Sequence, residues 1–162
     1  MIKIIATLLT FFAFNVSHAK VNVGIILGFT GPIETLTPGM SAGAELAFNE
    51  AADSGKLLNG QSINIIKVDS TCVDSAAATS AAESLISQGV TAIMGADCSG
   101  VTGAVLSNVA VPNGVPMISP SATSPGLTTA ADNGLFFRTA PSDARGGEVL
   151  ADITLSRGIS SV

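Results

Sequence analysis

The sequence contains no tryptophan and no tyrosine, and it has a single histidine. That histidine is His18, which lies in a leader-like segment, so residues 20–162 hold none. The commonest general base and the commonest metal ligand are therefore missing from the part expected to fold. Basic residues are also scarce. Seven Lys and Arg stand against twelve Asp and Glu, a net charge of −5. Such an acidic chain is a poor partner for nucleic acid or an anionic membrane surface. After the first residues, no apolar run is long enough to span a bilayer. Cysteine is limited to Cys72 and Cys98.

What is present begins with Met1 to Ala19. Lys3 supplies a basic start, Ile4 to Phe14 is almost unbroken apolar sequence, and Ser17-His18-Ala19 places small residues where a signal peptidase reads. This pattern predicts a secretory signal over residues 1–19. A retained anchor would need about 18 apolar residues, and this run is shorter. Residues 20–162 then suit one domain with a full core.

Strand and helix patterns alternate along that domain. Lys20 to Leu27, Ser62 to Val68, Val90 to Met94, Val115 to Ile118 and Leu135 to Thr139 read as short buried strands. Between them, Met40 to Ala52, an alanine-rich run from Asp74 or Ser75 to Gln88, and Gly100 to Asn108 read as helices. In the alanine-rich run, Ala78, Ala81, Ala82, Leu85 and Ile86 are expected to face inward. Asp143 is expected to cap a last helix with a core face of Val149, Leu150, Ile153 and Leu155. Ile159 to Val162 look like the start of one more strand, which points to a truncated sequence. The alternation predicts an α/β fold, a parallel sheet with helices on both faces.

Ligands of open parallel sheets bind outside the carboxyl ends of the strands. The loops there are Gly28 to Thr37, Asp69 to Val73, Ala96 to Ser99 and Pro120 to Thr123, all rich in glycine or hydroxyl residues. Cys72 and Cys98 both fall at this edge, and in an exported protein they are expected to pair. The alternative is a reactive thiol at Cys98, near a helix start that would lower its pKa. Ser99 precedes the helix expected from Gly100. It either caps that helix or joins the free N–H groups in receiving a ligand carboxylate. A catalytic serine fits poorly, because Gly95-Ala96-Asp97-Cys98-Ser99-Gly100 is not G-x-S-x-G and no histidine can complete a triad. Gly28-Phe29-Thr30-Gly31 lacks the spacing of a phosphate loop. Asp69 and Asp97 could be metal ligands, although separated carboxylates are usually solvated or paired. Arg138 and Arg145 could meet an anion or form surface ion pairs.

Taken together, VNVGIIL, GFTGPIE, the cysteine pair, GADCSG, and MISPSATSPGLT followed by FFRTAPSD resemble the first lobe of a periplasmic solute-binding protein. The branch is the leucine/isoleucine/valine-binding type that serves ABC importers. The resemblance implies a type I periplasmic binding lobe over residues 20–162, truncated before a second lobe, in a protein of the periplasm. It implies capture of an amino acid, branched-chain or related, for delivery to a membrane permease, without catalysis, cofactor or metal. Ser99 would meet the ligand α-carboxylate through its hydroxyl and N–H. Ser121 would offer its carbonyl to the α-ammonium, and Thr123 would touch both groups. Ala122 would line the same turn, and the loop near Leu36 would border the ligand side chain. Some relatives carry an aromatic where this sequence has Glu34-Thr35-Leu36, so side-chain preference does not transfer. Two other readings use the same chain: a ligand-sensing ectodomain of this fold, and a secreted hydrolase acting through Ser99 or Cys98.

Overall fold

In the computed structural model, the residues described are 20–56, 61–159 and 161. The leader and the end of the expected sixth strand lie outside them. Five strands form one parallel sheet: β1 (Val21–Leu27), β2 (Ile63–Asp69), β3 (Ala92–Gly95), β4 (Met117–Ser119) and β5 (Phe136–Arg138). Their order is β2-β1-β3-β4-β5. β1 lies between β2 and β3, and its register pairs Val23 with Ala92 on one side and with Ile65 on the other. All five strands therefore end at the same edge, and the four loops singled out above meet there.

Three helices follow the first three strands: α1 (Thr37–Asp53), α2 (Ser75–Ser87) and α3 (Ser99–Val105). The α1 helix starts earlier than expected, because Pro38 sits in its first turn, where a missing N–H costs nothing. Asp74 caps α2 by accepting the N–H groups of Ala76 and Ala77. The α3 helix runs on through a π-helical turn, Leu106–Ala110, into α4 (Val111–Asn113), five residues past its expected end. The wider turn lets Pro112 follow without needing a donor. Gly114, at φ 65°, then closes the helix, with the Val115 N–H on the Ala110 carbonyl.

The core lies between one sheet face and the α2–α3 layer. Ile26, Ala78, Ala82, Leu85, Ile93 and Val105 are fully buried there. Ala81 and Ile86 pack against this cluster, as the α2 pattern predicts. Strand side chains alternate, so Met94, next to buried Ile93, turns to the opposite face. There α1 covers less. A groove of about 410 Å³ remains between α1 and the sheet, lined by Ala44, Phe48, Met94 and Ile118.

The last helix, α5 (Asp143–Ser156), departs from expectation. Ser142 caps it instead of Asp143, accepting the Ala144 N–H. Its expected core face is not buried: Leu150 is 63% exposed and Leu155 68%, and Val149 and Ile153 are also open. An apolar stripe records that a helix needs a partner. It carries no information about which surface supplies it.

Candidate functional site

The site is built on Asp97, the second residue after β3. Its side chain is 2% exposed. One carboxylate oxygen accepts the Gly28 N–H from the β1 loop at 2.6 Å. The other accepts the Ser70 hydroxyl from the β2 loop at 3.2 Å and the Cys98 N–H at 2.9 Å. The Asp97 carbonyl accepts the Ser121 hydroxyl from the β4 loop at 2.9 Å. A single residue thus ties together four loops that are far apart in sequence. A buried carboxylate needs such donors to offset its lost hydration. The sequence offered Asp97 as a metal ligand or a solvated or paired acid, and it is none of these. The available signal was its place: an acid directly after an apolar strand, at the sheet's carboxyl edge.

Two further constraints hold this edge. Cys72 and Cys98 form a disulfide with their Cα atoms 5.2 Å apart. Cys98 therefore carries no reactive thiol, which removes the alternative read from its position. Gly95 has φ 125°, and a Cβ there would overlap the Ile26 carbonyl. Only glycine lets β3 leave the sheet so close to β1.

Above this brace sits the turn Ser121 to Ser124. Cys98 takes the N-cap position, and Ser99 is the first residue of α3. The Ser99 hydroxyl does not cap its own helix. It accepts the N–H groups of Thr123 and Ser124, each at 3.1 Å. Among the described residues, neither the proton of that hydroxyl nor the Ser99 N–H meets an acceptor. Both face the end of a helix whose dipole favours negative charge. Ala122 is buried. Arg138 on β5 donates to the carbonyls of Ala122 and Ser124 and to the Thr128 hydroxyl. It braces the turn from beneath instead of meeting an anion. Arg145 pairs with Glu148 on the surface of α5. The Ser121 carbonyl has no donor among the described residues. Thr123 donates its hydroxyl to Asp143 at 2.8 Å, and its carbonyl accepts the Asp143 N–H at 3.0 Å. The structure therefore brings Ser99, Ser121, Ala122 and Thr123 into one connected cluster. Leu36 lies outside this hydrogen-bonded group, exposed at the start of α1.

Asp69 fastens the neighbouring loops. Burial pushes its carboxyl up. Bonds from the Thr30 hydroxyl and from the N–H groups of Thr71, Thr30 and Phe29 outweigh this and hold it below its usual range. The bond from the Thr71 N–H also fastens the start of a left-handed stretch, Thr71 at φ 58° and Cys72 at 69°. Among the described residues, no group of three His, Cys, Asp or Glu side chains could hold a metal ion.

Chemically, the cluster offers hydroxyl and N–H donors for a carboxylate next to a free carbonyl and a hydroxyl oxygen, both acceptors. A family model for periplasmic binding proteins matches residues 20–162. The Leu/Ile/Val-binding protein homolog 3 of Brucella melitensis is 30% identical, over 87% of this chain and 37% of its own length. The Leu/Ile/Val-binding protein BraC3 of Rhizobium johnstonii is 31% identical, over 93% of this chain and 40% of its own. Among solved structures, the branched-chain amino acid transporter substrate binding protein LivJ of Streptococcus pneumoniae, in complex with isoleucine, superposes with a TM-score of 0.68. It is 31% identical and covers 77% of this chain and 35% of its own. A solute binding protein of an ABC transporter from R. palustris, in complex with benzoate, gives 0.71 at 28% identity, over 86% and 38%. The chain thus spans about two fifths or less of these relatives. With the expected α/β sheet in place and the match running from Lys20 to Val162, the chain belongs to the periplasmic binding protein family.

Proposed function

We propose that residues 20–162 form the first lobe of a two-lobe solute-binding protein that captures a small carboxylate, foremost a branched-chain amino acid, for an ABC importer. The observation that carries this reading is the Ser99–Thr123 junction. A serine at a helix start has spent its lone pairs on the facing turn, and its O–H and N–H remain for a ligand. Fixed donors of this kind replace water around a carboxylate without reorganising. Isoleucine and benzoate, present in the complexes of the two structural relatives, both carry that group. A branched-chain amino acid adds an ammonium, for which the open Ser121 carbonyl is an acceptor. The exposed stripe of α5 and the groove beside α1 fit a protein whose remaining length supplies more packed structure.

On this reading the protein is exported through residues 1–19, does no catalysis, and presents its loaded form to a membrane permease. The test is thermal unfolding of the full-length protein with L-leucine, L-isoleucine, L-valine and benzoate. A ligand at 100 times its Kd stabilises by about 2.7 kcal/mol, readily seen as a rise in Tm. No rise with any of the four overturns the proposal. A rise with benzoate alone transfers the site to aromatic acids, the second reading that the R. palustris relative supports.

A further inference from the structure

Among the described residues, Asp143 is the one acidic side chain bonded to the turn that carries Ser121 and Thr123. It is not part of the sheet lobe's packing. It opens α5, a helix whose side chains are exposed almost throughout. Two bonds join it to Thr123, one donated by each residue: the Thr123 hydroxyl to the Asp143 carboxylate at 2.8 Å, and the Asp143 N–H to the Thr123 carbonyl at 3.0 Å. Among the described residues, no Lys or Arg forms a salt bridge with Asp143. The nearest cation in sequence, Arg145, is taken by Glu148.

A threonine hydroxyl has one proton and two lone pairs. With its proton given to Asp143, the Thr123 oxygen is left as an acceptor only. Its N–H is already committed to Ser99. So Thr123 can accept a hydrogen bond from a ligand and cannot donate one while this pair holds. The Ser121 carbonyl, two residues earlier, is likewise a free acceptor. Two acceptors and an unneutralised carboxylate then stand beside the Ser99 donors. That is the polarity of an ammonium next to a carboxylate.

Building on the ligand-binding reading above, we propose that Asp143 is a positioning residue that sets ligand preference: by holding the Thr123 hydroxyl proton, it makes the turn select ligands with an ammonium beside their carboxylate. A ligand without the ammonium would leave the Thr123 and Ser121 acceptors facing a methylene group, unpaired, and the like charge of its carboxylate near Asp143 would go uncompensated. Without Asp143, the Thr123 hydroxyl is free to turn and donate, and the discrimination falls.

The test pairs each amino acid with its analogue lacking the ammonium: L-leucine with 4-methylpentanoate, L-isoleucine with 3-methylpentanoate, and L-valine with 3-methylbutanoate. Calorimetry on the full-length protein gives the ratio of the two Kd values. In Asp143→Ala, amino acid affinity should fall about tenfold, because Thr123 is no longer held as an acceptor and the nearby negative charge is gone. Affinity for the analogue should hold or rise. Asp143→Asn keeps an acceptor oxygen without the charge and should fall between. In a Thr123→Val background, Asp143→Ala should no longer change the ratio. A merely structural role would weaken both ligands equally and leave the ratio unchanged, and that result overturns the inference. Binding of an amino acid with an unaltered ratio in every variant overturns this inference alone. Binding of none of the six ligands, nor of benzoate, by the unaltered protein overturns the parent reading as well.

Discussion

The carboxylate of Asp97 accepts the backbone N–H of Gly28 at 2.6 Å across 69 positions of sequence. The bond closes the end of β1 onto the end of β3. With the Ser70 and Ser121 contacts, it makes one buried acid the common anchor of the sheet's ligand edge.

Removing that anchor should be costly. Asp97→Ala leaves the Gly28 and Cys98 N–H groups and the Ser70 hydroxyl without their acceptor. Unsatisfied buried donors destabilise by on the order of 3 kcal/mol in total here. Urea unfolding checks this. A loss below about 0.5 kcal/mol, the usual surface scatter, would show that the loops do not depend on Asp97.

The disulfide should stabilise through the unfolded chain. Cys72 and Cys98 are 26 positions apart, and a closed loop of that size corresponds to about 3.5 kcal/mol. Reduction, or Cys72→Ser with Cys98→Ser, should lower the unfolding midpoint accordingly. An unchanged midpoint after complete reduction would refute it.

Two glycines of the same turn should answer oppositely to alanine. At Gly95 a methyl group meets the Ile26 carbonyl at a left-handed φ. Gly95→Ala should therefore destabilise by more than about 4 kcal/mol or prevent folding. At Gly100, within α3, nothing lies within 4 Å of an added Cβ. Gly100→Ala should be neutral or stabilising by up to about 1 kcal/mol. Comparable losses in the two variants would contradict the geometry of the β3 exit.

Asp69 should contribute to acid sensitivity. Against the upward push of burial, hydrogen bonds from Thr30, Thr71 and Phe29 hold its carboxyl below the ordinary aspartate range in the folded protein. A depressed carboxyl contributes stability above its unfolded pKa and loses it as pH falls through the folded value. Asp69→Asn should therefore cost stability at pH 6 and much less near pH 3, read from urea midpoints at the two values. An equal cost at both would remove the charge from the explanation.

The Ser99 hydroxyl should matter for both turn and ligand. Ser99→Ala strips an acceptor from the N–H groups of Thr123 and Ser124. It should cost about 1 kcal/mol of stability. It should also weaken carboxylate binding about tenfold or more, for amino acid and analogue alike. This parallel loss distinguishes it from Asp143→Ala. Full retention of affinity would take Ser99 out of the site.

The sequence alone determined a good deal. Strand–helix alternation and β-branched runs such as Val21 to Leu27 set a parallel α/β sheet. Topology then placed Ser99, Ser121 and Thr123 at one edge, because every parallel strand ends there. The inward face of α2 was legible because Ala78, Ala82 and Leu85 repeat at helical spacing. These are local patterns, and local patterns survive translation into one dimension. Tertiary structure alone decided which groups spend their hydrogen bonds and which keep them free. Asp97 read as a metal ligand or a solvated or paired acid until four loops closed on it. Arg138 could have met an anion or a surface carboxylate, until its guanidinium met two carbonyls. The stripe of α5 promised a core face that is exposed among the described residues. Each of these depends on surroundings beyond the residue's own element, whose distance and direction no local spacing encodes.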